Sequence, residues 1–154
     1  MRAAAWFRAT GVVLVLFAAG HTLGFLKFRP ATAEGLAVWD AMQQVYFAQG
    51  SRLHSYGEFY RGFGLFISAF YVFTAWLAWS LGSMSERAFD EARRLAWGLL
   101  VLQCVGLGLS LRYFGARPAL LSGVAGVCLA AGIFAANRSY ASSGAVAAVA
   151  GMGS

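Results

Sequence analysis

Six side chains in this sequence are of types that do chemistry and sit where they could converge: His21, His54, Glu58, Arg61, Arg112 and Tyr113. An imidazole gains and loses a proton near neutral pH, so either histidine can shuttle one, and a carboxylate beside it can orient the ring. A guanidinium offers a planar fork of donors that grips a carboxylate or a phosphate. His54, Glu58 and Arg61 are separated by four and three positions. On a helix those offsets put the three on one face, with Glu58 able to pair with either neighbour. The combination predicts a ligand-binding site for a polar or anionic group.

Plainer roles exist for each of them. Glu58 and Arg61 can form an ion pair that only starts a helix at a membrane surface, and His21 can serve as an interhelical hydrogen-bond partner. Gln103 reads as a packing hydrogen bond, and Cys104 and Cys128 as small apolar core residues with no Cys-x-x-Cys redox motif. Two histidines are enough for bis-histidine haem ligation, but nothing supplies a fuller metal site, so no metal ligands are assigned and the cofactor is left unknown.

The elements that must position these groups follow from composition. Of the 154 residues, 60% are hydrophobic and 12% charged, against roughly a quarter charged in an ordinary soluble domain. Four stretches of 17 or more residues lack any Asp, Glu, Lys or Arg: Ala9–Leu26 (18 residues), Gly62–Ser85 (24), Leu95–Leu111 (17) and Pro118–Asn137 (20). Each is close to the ~20 residues with which a helix crosses the hydrocarbon core. The expected fold is therefore all-α: a polytopic membrane protein with four transmembrane helices in an antiparallel bundle. The net charge of +6 does not predict nucleic-acid binding, because the basic residues cap the apolar runs, where they meet lipid headgroups.

The predicted membrane domain covers residues 1–137, with helices over about 6–28, 57–81, 92–113 and 118–137. An N-terminal signal peptide ending at Ala18-Ala19-Gly20 is the alternative to the first span, disfavoured because apolar character continues to Phe28. Arg29-Pro30 closes the first helix. Leu36, Trp39, Met42 and Tyr46 then recur at helical spacing among Glu34, Asp40, Gln43 and Gln44, predicting an interfacial amphipathic helix over about 34–47, a tether or a lid. Ser83 or Ser85 is available to cap the third helix, and Pro118 suits the first turn of the fourth. Residues 138–154, rich in Ala, Gly and Ser, read as a flexible tail.

Small residues predict where helices approach: Gly20-x-x-x-Gly24, then Gly98, Gly106 and Gly108, then Ser122, Gly126 and Ala130. Basic residues divide six to six between the two sides, and six to four if Arg52 and Arg61 face a pocket. The termini are then expected in the cytoplasm, with the site at the opposite side.

His21-Thr22-Leu23-Gly24, Trp39-Asp40-Ala41-Met42, Gly50-Ser51-Arg52 and Tyr56-Gly57-Glu58-Phe59-Tyr60-Arg61-Gly62-Phe63-Gly64-Leu65 together resemble a family of small bacterial four-helix integral membrane proteins with no assigned activity. The resemblance spans most of residues 10–136 and implies only a shared fold and a shared polar site between the first two spans, and no reaction; the expected location is the bacterial inner membrane. In layout the chain is also similar to DoxX-like proteins.

Three functional readings follow. The leading one is a protein that binds a membrane lipid or a small polar or anionic molecule, with a second copy or a partner membrane subunit as the candidate neighbours. The second is a membrane-embedded isomerase or hydrolase in which His21 or His54 moves a proton and Glu58 orients it. The third is a haem or metal protein ligated by His21 and His54.

Overall fold

The computed structural model describes residues 2–151, with side chains for 3–85 and 87–138. It is mostly helical: α1 (Arg2–Leu26), α2 (Ala33–Gln44), α3 (Tyr56–Ser83), α4 (Glu86–Leu109) and α5 (Ala116–Gly151), with a π-helical turn at Ser110–Phe114. Among the described residues, four segments are long and apolar enough to cross a membrane: Ala3–Leu26, Tyr56–Ser83, Arg87–Phe114 and Ala116–Arg138. One element departs from the all-α expectation, an antiparallel hairpin of β1 (Tyr46–Gln49) and β2 (Arg52–Ser55).

The hairpin begins where an amphipathic helix over about 34–47 would still be running. Its loop is the two residues Gly50-Ser51, with Gly50 at φ 63° and no other residue between Tyr46 and Ser55 at positive φ. Glycine at the first of two loop positions is the signature of a type II′ turn, whose twist matches that of the flanking strands. α2 starts on Thr32, whose side chain accepts the Gly35 amide at 3.1 Å, and stops at Gln44, where Val45 turns extended.

Two compact units divide the chain, one of Leu16–Val72 and the other of Met1–Val15 with Phe73–Ser154. In the second, the core is built from Phe7, Leu81, Phe89, Ala96, Leu99, Leu129, Ile133 and Ala136. Phe7 is its centre: the ring lies 5.3 Å from that of Phe89, and a Cβ placed on Gly132 would meet it at 3.2 Å. Gly11 and Gly82 give equally close approaches, to the Ala75 carbonyl (3.2 Å) and the Ala4 carbonyl (3.0 Å). Among the described residues, nothing lies within 4 Å of a Cβ at Gly20, Gly24, Gly98 or Gly108, so these do not make the approaches expected of them. Gly106 and Gly126 do face a neighbour, Ser122 Oγ at 3.9 Å and the Gln103 Cβ at 3.8 Å.

Ser85 caps α4 by accepting the Ala88 amide at 3.4 Å, and Asp90 and Arg93 pair at 2.6 Å one turn later. Thr10, fully buried, donates its hydroxyl to the Trp6 carbonyl one turn back at 3.0 Å, which satisfies a polar group inside an apolar helix. α5 continues to Gly151, past the end expected near Asn137; Ala141, Ala145, Ala147, Ala148 and Ala150 favour the helix there. The expected flexible tail is thus helical over 138–151, and residues 152–154 lie outside the described part.

Candidate functional site

Within Leu16–Val72, the second half of α1 and the first half of α3 meet at Gly64. A Cβ there would fall 2.6 Å from the Phe25 ring; only glycine lets that ring lie on the helix backbone. The His21 imidazole lies beside the Gly64 backbone, and the Ser68 hydroxyl donates to the Gly64 carbonyl at 3.0 Å while lying 2.7 Å from the Thr22 hydroxyl. His21 Nε2 is buried and has no hydrogen-bond partner among the described residues. The His21 ring stands 5.3 Å from Phe25 and 6.4 Å from Tyr71. His21 thus sits among aromatic rings of α1 and α3.

α2 joins the same unit through one face. Gly35, Trp39, Met42 and Gln43 are half-buried, while Leu36 and Val38 stay exposed. Trp39 meets Tyr60 edge-on at 5.7 Å and Phe28 at 6.0 Å. The Gln43 carboxamide is seated directly on Gly57, and its Oε1 accepts Arg61 Nη2 at 2.7 Å. Arg61 therefore bonds Gln43 on α2, whereas the sequence had suggested Glu58.

Glu58 is committed elsewhere. It occupies the third position of α3 and its Oε2 accepts the Ser55 amide at 2.9 Å, while Ser55 Oγ accepts the Glu58 amide at 3.1 Å. This reciprocal pair is a capping box, which satisfies backbone donors that the first turn of a helix leaves open. His54 is not on the helix at all: it belongs to β2, one residue before the cap, so the shared helical face of His54, Glu58 and Arg61 does not exist. The extended backbone still brings His54 Nδ1 to 3.7 Å from Glu58 Oε2, with the two side chains 38% and 57% exposed.

Strand register decides what His54 faces. It pairs with Phe47, and Gln49 pairs with Arg52; cross-strand partners project from the same side of a hairpin. That side opens onto a groove of about 450 Å³ lined by Gln49, His54, Phe59, Gly62, Phe63 and Phe66, within the ~300–1,000 Å³ usual for small-molecule sites. Phe59, Gly62, Phe63 and Phe66 follow the one-face spacing of a helix. Phe47, the cross-strand partner of His54, packs 5.8 Å from Phe59 and 4.9 Å from Tyr56. The polar groups of the lining, Gln49 and His54, come from the hairpin, and the apolar ones from α3.

Of the expected site residues, the structure brings His54 to this groove, sets Glu58 behind it and turns Arg61 to α2. It keeps His21 in the helix contact at Gly64. Arg112 and Tyr113 belong to the other unit, on the π-helical turn, with the Arg112 guanidinium 5.3 Å from the centre of the Tyr113 ring. Gln49, Phe59, Gly62, Phe63 and Phe66 went unrecognised in the sequence, although the Phe spacing and the Gly50-Ser51 turn were visible there. The lining holds no serine, cysteine or lysine nucleophile, and among the described residues no three His, Cys, Asp or Glu side chains are grouped to hold a metal ion. Comparison with protein-family models, with curated proteins and with solved structures finds no match for this chain.

Proposed function

We propose that this chain is a multi-pass protein of the bacterial inner membrane, with its termini in the cytoplasm, and that its Leu16–Val72 unit binds a lipid or a comparable amphiphile in the Gln49–Phe66 groove. The observation that carries the reading is the division of the groove wall: a polar mouth on the hairpin and a phenylalanine stripe down α3. From Phe59 to Phe66 a helix rises roughly 10 Å, about a third of the ~30 Å hydrocarbon core, so an acyl chain could lie along the stripe with its headgroup at the mouth. Membrane residence is supported by the four apolar spans, of whose windows only 22–44% is buried inside the protein. Exposed apolar surface of that extent suits lipid contact. The family resemblance fits the same reading, since all its quoted motifs fall in Leu16–Val72.

Gly62 gives the test. Nothing lies within 4 Å of a Cβ there, yet the residue lines the groove. Gly62→Leu should fill the groove without disturbing a neighbour. Purified in mild detergent, the parent should carry lipid seen by native mass spectrometry, and Gly62→Leu should lose it while melting at an equal or higher temperature. Equal lipid retention in the two proteins would sink the proposal.

The proton-transfer reading keeps one observation in its favour, the 3.7 Å approach of His54 to Glu58 beside the groove. The absence of a nucleophile from the lining weighs for binding over hydrolysis.

A further inference from the structure

Resting on the groove reading, the geometry points to a ligand class and to the residue that selects it: we propose that the groove takes a phospholipid with an anionic headgroup, and that Arg52 reads the charge. Arg52 is the cross-strand partner of Gln49 and lies two residues before His54 on β2. Side chains two apart on a strand share a face, as do cross-strand partners. Both of those neighbours line the groove, so Arg52 stands on the same side at the mouth, next to the turn.

Its charge is uncommitted. The Arg52 side chain is exposed and makes no hydrogen bond or ion pair among the described residues. Of the other basic residues of the unit, Lys27 and Arg29 follow the end of α1, and Arg61 is held by Gln43. Glu58, the acid beside His54, has its Oε2 committed to the Ser55 amide at the helix cap. The hairpin ladder fixes the Arg52 backbone, leaving a planar fork of donors above an apolar stripe. That pairing of a free guanidinium with a hydrocarbon-lined groove matches a phosphate attached to an acyl chain better than a neutral or zwitterionic head, in which the positive group would meet Arg52.

The parent protein, Arg52→Gln, Arg52→Lys and Gly62→Leu are titrated in detergent with phosphatidylglycerol and with phosphatidylcholine of identical acyl chains, and binding is read by native mass spectrometry. The parent should prefer phosphatidylglycerol about fivefold, the effect of one basic residue at an anionic lipid surface. Arg52→Gln should bring the two lipids level by weakening only phosphatidylglycerol, and Arg52→Lys should keep part of the preference. Inorganic phosphate at the lipid's concentration should not displace the lipid; displacement would overturn the claim that the acyl chain anchors the anion. Equal binding of both lipids by the parent, or a preference untouched in Arg52→Gln, would overturn the role of Arg52 while the loss of both lipids in Gly62→Leu still upheld the groove. If Gly62→Leu binds like the parent, the groove reading itself fails, and this inference with it.

Discussion

Ser55 and Glu58 exchange hydrogen bonds across the first turn of α3, the Glu58 carboxylate accepting the Ser55 amide at 2.9 Å and the Ser55 hydroxyl accepting the Glu58 amide at 3.1 Å. The exchange joins the last residue of the hairpin to the start of a long apolar helix. It thereby fixes the position of His54, the neighbour on the strand side.

Ser55→Ala should cost about 0.5–2 kcal/mol, the usual loss for a helix cap. Glu58→Gln should cost less than Glu58→Ala, because a glutamine oxygen can still accept the Ser55 amide. Ser55→Ala with Glu58→Ala should fall short of the sum of the two single losses, as coupled partners do. Reversible unfolding in detergent, followed by circular dichroism, measures all four; strict additivity would mean that the two bonds act independently.

Arg61 and Gln43 form the bond that ties α2 to α3. It is exposed, so its loss should change global stability by less than about 1 kcal/mol. The local effect should be larger. Arg61→Gln and Gln43→Ala should each raise hydrogen exchange over Ala33–Gln44, and the double variant should raise it no further. Unchanged exchange in α2 would show that the Trp39–Tyr60 contact holds the helix by itself.

Gly64→Val should destabilise by about 1–3 kcal/mol, the usual cost of overpacking, because its side chain would collide with the Phe25 ring. Gly20→Val on α1, where nothing lies within 4 Å of a Cβ, serves as the control and should melt near the parent. A shared melting temperature for the two variants would contradict the close approach at Gly64.

In the other unit, Phe7 is 1% exposed and packs on Phe89 and Gly132. Phe7→Ala should cost about 3–5 kcal/mol through the cavity it leaves, and Phe7→Leu markedly less. Lipid retention at the Gln49–Phe66 groove, normalised to folded protein, should survive both.

The four long helices were legible because charge-free runs of helical length need no knowledge of neighbours. So was the cap at Ser85, a signal confined to a few residues. The hairpin was hidden by its own composition: the helical spacing of Leu36, Trp39 and Met42 runs on by chance to Tyr46, which masks the strand start, and the Gly50-Ser51 turn is only two residues long. Once His54 is read as helical, its offset of four from Glu58 looks like a helix face, when an extended residue beside a cap brings the same atoms together. Close-packed glycines were illegible for another reason. A Gly-x-x-x-Gly pattern states that a helix has a smooth strip but not whether a partner uses it, and the approaches at Gly11, Gly64, Gly82 and Gly132 depend on contacts from distant parts of the chain.

The two-residue loop at Gly50-Ser51 has a bearing on which length changes this protein can accept. Surface turns ordinarily absorb insertions and deletions with little harm. Here one residue gained or lost within β2 would reverse the alternation of every later position in the strand, sending Leu53 to the side now held by His54 and swinging the imidazole away. A residue inserted between His54 and Ser55 would instead separate the imidazole from the cap that positions it. Homologues that keep this site should therefore vary freely in residue type at Ser51 and Leu53 yet show no single-residue gaps between Tyr46 and Glu58, and such a gap would mark a protein that has lost the site.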